Sequence, residues 1–316
     1  MPSCWHWCPS RAVSSTVDRR GRGPTLRNDL RVLLLLSLVA TVAVGGVPPE
    51  FSGLTSSFAT LDGARVHYWI QGEGQKAVVF VHGWGCDATV WRFQTSALPE
   101  GWRALYVDLP GHGKSDAPDE IYSMEYLARG VAASMKDAGV ERAVLVGHSN
   151  GVPVVRQFYR IYPEKTQGII AVEGSFRPLV SDPETWNQMI APFRAENYLE
   201  AVERMIPADL SAELTRDIRS MMLATPQKVL VSSLEGVGEA EIWAEDPIAV
   251  PLLVLLAESP FWTPDYEQFV RGLAPHVDYR VVAKASHFLQ LDNPDRFNEA
   301  LAALLSQLSS HSADGR

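Results

Sequence analysis

The feature that most constrains this fold is a series of short apolar runs that alternate with segments of helical periodicity. The run KAVVFVH at 76–82 is almost continuously apolar, which is typical of a strand covered on both faces. Similar runs occur at 103–108, 143–147, 168–173, 251–257 and 277–283. Segments with helical spacing occur at 124–137, 152–162, 264–273 and 294–308. The alternation predicts an α/β fold, with a mostly parallel central sheet flanked by helices.

One long stretch, residues 177–247, interrupts this alternation. It contains helical patterns, at 198–205 and 212–222, but no convincing strand. We interpret it as a helical insertion between two strands of the sheet. The predicted organisation is therefore an N-terminal extension at 1–47, a core at 48–176 and 248–316, and a helical insertion at 177–247.

The N-terminal extension contains a run of apolar and small residues at 32–47, VLLLLSLVATVAVGGV. Its 16 residues fall short of the roughly 20 that span a bilayer as a helix. Basic residues precede it and small residues lie near its end, which suits the hydrophobic region of a signal peptide. We therefore expect an exported protein that is secreted, periplasmic or membrane-anchored. The alternative is that this segment is not cleaved and anchors the protein in a membrane. We expect no other membrane contact.

The charge distribution excludes some classes of partner. The chain has a net charge of −9, whereas residues 1–47 alone carry six arginines and two aspartates, a net charge of +4. The rest of the chain is therefore strongly acidic, and no basic cluster interleaved with aromatic residues occurs in it, so we expect no nucleic-acid partner. No group of His, Asp and Glu shows the spacing of metal ligands, and we expect neither metal nor cofactor.

A five-residue motif, GHSNG at 147–151, lies where a predicted strand meets a predicted helix. G-x-S-x-G in this context forms a sharp turn that lifts the serine hydroxyl above the edge of the sheet. Two more glycine-rich stretches, HGWG at 82–85 and DLPGHGKS at 108–115, also follow strands. The second is not a phosphate-binding loop, because Asp108 occupies the position of the first glycine of that loop.

These motifs and a late Ser286-His287-Phe288 follow the order found in the α/β-hydrolase family, which this chain resembles over about residues 58–310. The resemblance implies that Ser149 is a nucleophile and that His287 is the base that takes its proton. It also implies that the backbone N–H groups of Trp84 and Asn150 form an oxyanion hole. It further implies that the segment 177–247 is a helical cap, because it falls where the family inserts its cap over the active site. The combination of motifs indicates the fold and does not specify the reaction.

The carboxylate that orients the histidine is not where many family members carry it. An Asp is usual just after the strand corresponding to 251–257, and the residues there are Glu258, Ser259 and Pro260. Some members, including a subgroup of haloalkane dehalogenases, carry a Glu at the end of the preceding strand, where Glu173 lies in this chain. We favour Glu173 as the acid, with Glu258, Asp265 or no acid at all as alternatives.

A serine nucleophile implies acyl transfer to water and excludes the dehalogenase and epoxide-hydrolase branches, whose nucleophile is Asp. The predicted substrate is a small, largely apolar ester, lactone or related acyl compound. Amides and carbon–carbon bonds are alternative substrates, and a binding or receptor protein without turnover is an alternative of a different class. Aromatic residues in and near the cap are candidates for an apolar substrate pocket, namely Phe176, Trp186, Trp243 and Trp262.

Overall fold

The computed structural model describes residues 48–311, and a central sheet of eight strands dominates it. The strands are β1 (Thr55–Leu61), β2 (Ala64–Gln71), β3 (Lys76–Val81), β4 (Trp102–Val107), β5 (Ala143–His148), β6 (Thr166–Val172), β7 (Leu252–Ala257) and β8 (Asp278–Val282). Their order in the sheet is β1-β2-β4-β3-β5-β6-β7-β8. β2 pairs antiparallel with β1 and β4, and all other pairs are parallel. The predicted mostly parallel α/β sheet is confirmed.

Helices cover both faces of this sheet. They are α1 (Met124–Asp137), α2 (Gly151–Ile161), α3 (Pro183–Arg194), α4 (Tyr198–Met205), α5 (Ala212–Ala224), α6 (Gln227–Val237), α7 (Pro264–Leu273), α8 (Leu289–Asp292) and α9 (Pro294–His311). Side chains cap several of them; for example, Ser123 accepts the backbone N–H of Tyr126 at the start of α1. The sequence pattern missed a ten-residue 3-10 helix at Ala88–Ala97, because its apolar spacing matches neither the α-helical nor the strand period.

Alternate residues of the central strands enter two separate apolar layers, as the two-residue period of a strand requires. In β3, Val79 and Val81 pack in the layer that contains α1, α2 and α7. Val78 and Phe80 pack in the opposite layer, which contains α8, α9 and the 3-10 helix. Both faces of the central strands are therefore buried, which explains why these strands are apolar throughout rather than alternating.

Helices α3 to α6 lie within the segment 177–247 that was predicted to be an insertion. Their apolar faces join the second layer, and an ion pair at 3.0 Å joins Arg92 of the core to Asp217 of α5. Within residues 48–311, none of the helices is long and apolar enough to cross a membrane. The predicted signal peptide at 32–47 lies outside the described residues.

Candidate active site

Ser149 occupies the turn between β5 and α2 and has left-handed backbone geometry, with φ of +52°. The turn is so tight that a Cβ on Gly147 would lie 2.5 Å from the Gly151 carbonyl oxygen. A Cβ on Gly151 would lie 2.5 Å from the carbonyl oxygen of Val81 on the neighbouring strand. Only glycine fits at either position, and the strain at Ser149 is typical of residues held for function. The turn leaves Ser149 half-buried.

His287 reaches Ser149 from the loop that follows β8. Its Nε2 lies 3.0 Å from the Ser149 Oγ, and its Nδ1 lies 3.2 Å from the Glu173 Oε2. An Nδ1–H donated to the carboxylate leaves the Nε2 lone pair facing the serine hydroxyl, which is the arrangement a general base requires. Lys284, three residues before His287, also has a positive φ of 57° and helps to turn this loop.

Glu173 directly follows β6 and is 3% exposed, with φ of +48°. One carboxylate oxygen faces His287. The other, Oε1, accepts the backbone N–H of Ala257 at 2.5 Å and the indole N–H of Trp262 at 3.1 Å. Four non-glycine residues in the described chain have positive φ, and they include both Ser149 and Glu173. The chain therefore bends sharply at the two turns that present the nucleophile and the carboxylate.

The other two candidate acids lie elsewhere. Glu258 is exposed after β7, and its backbone N–H donates to the Val282 carbonyl. Asp265 opens α7, where its side chain is 78% exposed and forms an ion pair with Arg177 at 2.9 Å. Of the three carboxylates considered from the sequence, Glu173 is the one that the structure brings to His287.

Trp262 lies in the loop after β7, which also carries the candidate acid Glu258. It was a candidate for the substrate pocket, yet its indole N–H donates to Glu173. A buried carboxylate is stabilised by such donors, because each hydrogen bond replaces solvation lost on burial. In this chain the loop after β7 supplies a hydrogen-bond donor to the carboxylate that β6 provides.

His148, the second residue of the GHSNG motif, lies behind Ser149. Its Nε2 lies 2.7 Å from the backbone carbonyl oxygen of His287, so Nε2 carries the proton and donates it. Burial and the neighbouring His287 lower the pKa of His148 well below its usual value, so the ring stays neutral. His148 thus links the turn that carries Ser149 to the loop that carries His287.

The loop after β3 positions Trp84 beside this turn. The Leu109 N–H donates to the His82 Nε2 at 3.0 Å, so the proton on Nδ1 is donated to the Gly83 carbonyl oxygen at 2.8 Å. Because a trans peptide places its N–H opposite its C=O, this bond also sets the direction of the Trp84 N–H. Burial lowers the pKa of His82 and keeps its ring neutral.

The side chain of Trp84 contacts the cap. Its indole N–H donates to the Leu230 carbonyl oxygen of α6 at 2.9 Å, and its ring meets the Phe193 ring edge-on at 5.1 Å between centroids. Asn150, the other predicted oxyanion-hole residue, directly precedes α2 with helical dihedral angles. Its backbone N–H therefore belongs to the N-terminal end of a helix, where N–H groups lack partners within the helix.

The remaining pocket candidates are held by contacts of their own. Phe176 is buried, and its backbone N–H donates to the Tyr266 hydroxyl at 3.1 Å. The indole N–H groups of Trp186 and Trp243 donate to the carbonyl oxygens of Leu234 and Val237 in α6, at 3.1 and 2.8 Å. The two tryptophans therefore hold parts of the cap together, whereas Phe176 is joined to α7 of the core, and the contact of all three with a substrate stays a prediction.

Comparisons with known proteins agree with this fold. Residues 78–300, more than half of the chain, match the model described as the alpha/beta hydrolase family. A relative from Sus scrofa, bifunctional epoxide hydrolase 2, is 23% identical over an alignment that covers 94% of this chain and 63% of that protein. This chain thus spans less than two thirds of that relative's length.

Two further comparisons concern proteins named for ester or lactone cleavage. The pimeloyl-(acyl-carrier protein) methyl ester esterase of Edwardsiella ictaluri is 28% identical, and the alignment covers 78% of this chain and 96% of that protein. The solved structure of the enol-lactonase from Burkholderia xenovorans LB400 is 25% identical, with a TM-score of 0.68. That superposition covers 79% of this chain and 100% of the lactonase chain.

Proposed function

Because this chain belongs to the alpha/beta hydrolase family, we propose that it is a serine hydrolase for a small, largely apolar ester, lactone or related acyl compound. The observation that carries the proposal is the unbroken series of contacts from the Ser149 hydroxyl through His287 to Glu173, at 3.0 and 3.2 Å. Similarity to an esterase and to an enol-lactonase supports the ester and lactone class.

In the proposed reaction, Ser149 Oγ attacks the carbonyl carbon while His287 Nε2 takes the hydroxyl proton. Glu173 holds the Nδ1–H and stabilises the imidazolium that forms. The carbonyl oxygen gains negative charge and accepts the N–H groups of Trp84 and Asn150; one such donor is typically worth about 10²–10³ in rate. His287 then protonates the leaving alcohol, and an acyl group remains on Ser149.

Deacylation repeats the same proton transfers with water as the nucleophile. His287 Nε2 takes a proton from the attacking water, the oxyanion forms again, and Ser149 Oγ leaves with the proton. A lactone differs only in that its leaving alcohol stays attached to the acyl group. An ester and a lactone therefore require the same residues, and the choice between them depends on the shape of the apolar pocket.

The alternative class, a binding protein without turnover, was supported by the missing Asp after β7. The contact between Glu173 and His287 weakens that support, since it supplies a carboxylate from β6. Cleavage of amides or of carbon–carbon bonds on the same residues is a narrower alternative. It is tested by turnover of an anilide and of a diketone beside the p-nitrophenyl ester of the same acyl group.

The decisive experiment measures the rate at which a fluorophosphonate labels Ser149 in the full chain. We expect rapid labelling that falls roughly 10³–10⁴-fold in Glu173→Gln, as when a triad carboxylate is neutralised. Glu258→Gln and Asp265→Asn are matched controls, because both remove an exposed carboxylate near the same edge of the sheet. We expect both to label at the wild-type rate.

Two results would contradict parts of this proposal. A folded wild-type protein that is neither labelled nor active on p-nitrophenyl butyrate would reject the hydrolase and favour the binding protein. Rapid labelling that is insensitive to Glu173→Gln would keep the serine mechanism and assign the acid to whichever control variant fails. Circular dichroism of each variant shows whether a loss of rate reflects loss of structure.

A further inference from the structure

A second serine–histidine–carboxylate series lies away from Ser149, at the antiparallel end of the sheet. The Ser56 Oγ of β1 lies 2.8 Å from the His67 Nε2 of β2. The His67 Nδ1 lies 2.8 Å from Oδ2 of Asp108, the residue that follows β4. Both distances are shorter than the corresponding ones at His287, which are 3.0 and 3.2 Å. The geometry is that of a serine hydroxyl beside a carboxylate-oriented imidazole.

The donors around Asp108 define the direction of each proton. Its carboxylate also accepts the backbone N–H groups of Ala88 and Lys114, at 2.7 and 3.0 Å. Burial alone would raise the pKa of Asp108, but the hydrogen bond and charge of His67 and these N–H groups hold it below its usual value. The carboxylate is therefore ionised and accepts the Nδ1–H of His67. In the tautomer whose only ring proton is on Nδ1, the Nε2 lone pair faces the Ser56 hydroxyl.

The Ser56 side chain is open to solvent, although His67 and Asp108 beneath it are buried. Ser56 lies in β1, the strand at the end of the sheet, directly opposite Trp69. The Lys114 ammonium lies 4.2 Å from the centre of the Trp69 ring. An exposed hydroxyl and a nearby cation therefore lie at one surface, with the His67 ring directly beneath the hydroxyl.

An apolar ring completes this surface. Phe58 lies two residues after Ser56, which places it on the same face of β1. Its side chain is 40% exposed, and its ring centre is 4.9 Å from that of His67. A small aryl or alkyl group attached to an electrophile can rest on this ring while its reactive atom faces Ser56.

The backbone differs from that at Ser149. Ser149 lies on a strained turn before a helix, whose N-terminal N–H groups can stabilise an oxyanion. Ser56 lies within a regular antiparallel pair of strands. An adduct on Ser56 thus lacks the stabilisation that a helix N-terminus gives to the hydrolysis of an acyl-enzyme, and we expect it to form slowly and to persist.

We propose that Ser56 is a second nucleophilic site, which takes an acyl or phosphonyl group from an activated electrophile and retains it. With an activated aryl ester, the Ser56 Oγ–carbonyl bond forms and the carbonyl–aryloxide bond breaks. The hydroxyl proton passes to His67 Nε2 and then to the aryloxide, which leaves as the phenol. With a fluorophosphonate, the Oγ–P bond forms, the P–F bond breaks and hydrogen fluoride leaves.

The experiment uses the full chain with Ser149→Ala, which removes the faster nucleophile. It is incubated with a fluorophosphonate, and the adduct is located by peptide mass spectrometry over several hours. We expect one adduct on Ser56, formed about 10²–10³-fold more slowly than the wild-type adduct on Ser149, as expected without an oxyanion hole. Ser96 is the internal reference, because it is also exposed but its hydroxyl contacts the Phe93 carbonyl rather than a histidine.

Two variants in the Ser149→Ala background test whether the adduct is on Ser56 and whether His67 makes Ser56 reactive. Ser56→Ala should abolish the adduct. His67→Gln should reduce labelling at Ser56 to the rate seen at Ser96, and a melting curve shows whether that variant is folded. If that variant is unfolded, the labelling rates of Ser56 and Ser96 in the Ser149→Ala protein still test the proposal.

The possible outcomes are distinct from those that test the proposed function. Equal labelling of Ser56 and Ser96, or no adduct on Ser56, would overturn the second site while leaving the mechanism at Ser149 intact. Failure of Ser149 to react in the wild type would reject the proposed hydrolase, whatever happens at Ser56.

Discussion

Ser149 and Ser56 each face the Nε2 atom of a histidine whose Nδ1 faces a carboxylate, yet the two sets differ in almost everything around them. The side chain of His287 is 20% exposed, whereas that of His67 is fully buried. Ser149 is on a strained turn before a helix, whereas Ser56 is in a regular strand.

The comparison separates two uses of one hydrogen-bond pattern. At Ser149 the pattern is placed at the carboxyl ends of parallel strands, where open α/β sheets present their ligands. At Asp108 the same pattern joins β1, β2 and the end of β4, and two backbone N–H groups fasten the carboxylate further. We therefore expect that a serine, a histidine and a carboxylate in contact are not enough for turnover, and that backbone donors beside the serine are also required.

The largest expected difference is in turnover of p-nitrophenyl butyrate. Ser149→Ala should lower kcat by about 10⁶, because the serine acts in one unit with its base. Ser56→Ala, which leaves Ser149 and its partners in place, should leave kcat unchanged within about twofold. The two substitutions are chemically identical, so each controls for the other. An equal loss in Ser56→Ala would show that the two sets are not independent.

The next difference compares the two carboxylates. Asp108→Asn replaces a buried charge that accepts a histidine and two backbone N–H groups, so we expect it to cost about 3–5 kcal/mol of unfolding free energy. Glu173 is also buried and accepts two N–H groups, so Glu173→Gln should cost unfolding free energy as well, but it should in addition lower kcat. Urea unfolding of both variants measures the free energy, and turnover of p-nitrophenyl butyrate measures kcat. If the two variants changed kcat and unfolding free energy to the same extent, the two carboxylates could not be distinguished as structural and catalytic.

A smaller effect is expected at the donor to Glu173. Trp262→Phe keeps an aromatic ring but removes the indole N–H that lies 3.1 Å from the carboxylate. A hydrogen bond to a charged group is worth about 1.5–3 kcal/mol, so kcat should fall about 10- to 100-fold with KM nearly unchanged. Phe261→Leu is a suitable control, because Phe261 is the exposed neighbour. A rise in KM alone would instead support the pocket role first predicted for Trp262.

The smallest effect concerns Asp87, which caps the 3-10 helix by accepting the Thr89 N–H. Partial burial and the charge of Asp108 raise the pKa of Asp87 to about 6. The folded state thus holds this proton more tightly than the unfolded chain, whose Asp titrates near about 3.9. Stabilisation from this group is complete below that pH and is lost as the pH rises through about 6.

Asp87→Asn, which preserves a good capping residue, should therefore be more stable than the wild type at pH 8 by about 1–2 kcal/mol and nearly equal at pH 4. Urea unfolding at both pH values measures this. The matched control is Asp182→Asn, at an exposed cap whose hydrogen bonds from Thr185 lower the pKa of the carboxyl. That variant should show no gain at pH 8. A gain in both variants would mean that the charge of Asp108 is not the cause.

The sequence predicted the sheet and most helices because their apolar periods are local. It also indicated Ser149, through a G-x-S-x-G motif between a strand and a helix. The family resemblance favoured Glu173 at the end of the next strand, with Glu258, Asp265 or no acid as alternatives. The donor to Glu173 could not be predicted, because Trp262 lies 89 residues away and nothing local distinguishes its indole from one that packs in a core. The burial of His67 against Asp108 depends on the register of β2 beside β4, which no local pattern gives.

The indole of Trp84 bonds to the cap while its backbone belongs to the loop beside Ser149. Recombination that exchanges caps between homologous chains at the ends of 177–247 would therefore separate a side chain from its acceptor on α6. A chimera keeps this bond only if the incoming helix places an accessible backbone carbonyl oxygen at the position of Leu230. A chimera that takes both the 82–85 loop and the cap from the same parent keeps this hydrogen bond. The loop and the cap therefore form one exchangeable unit.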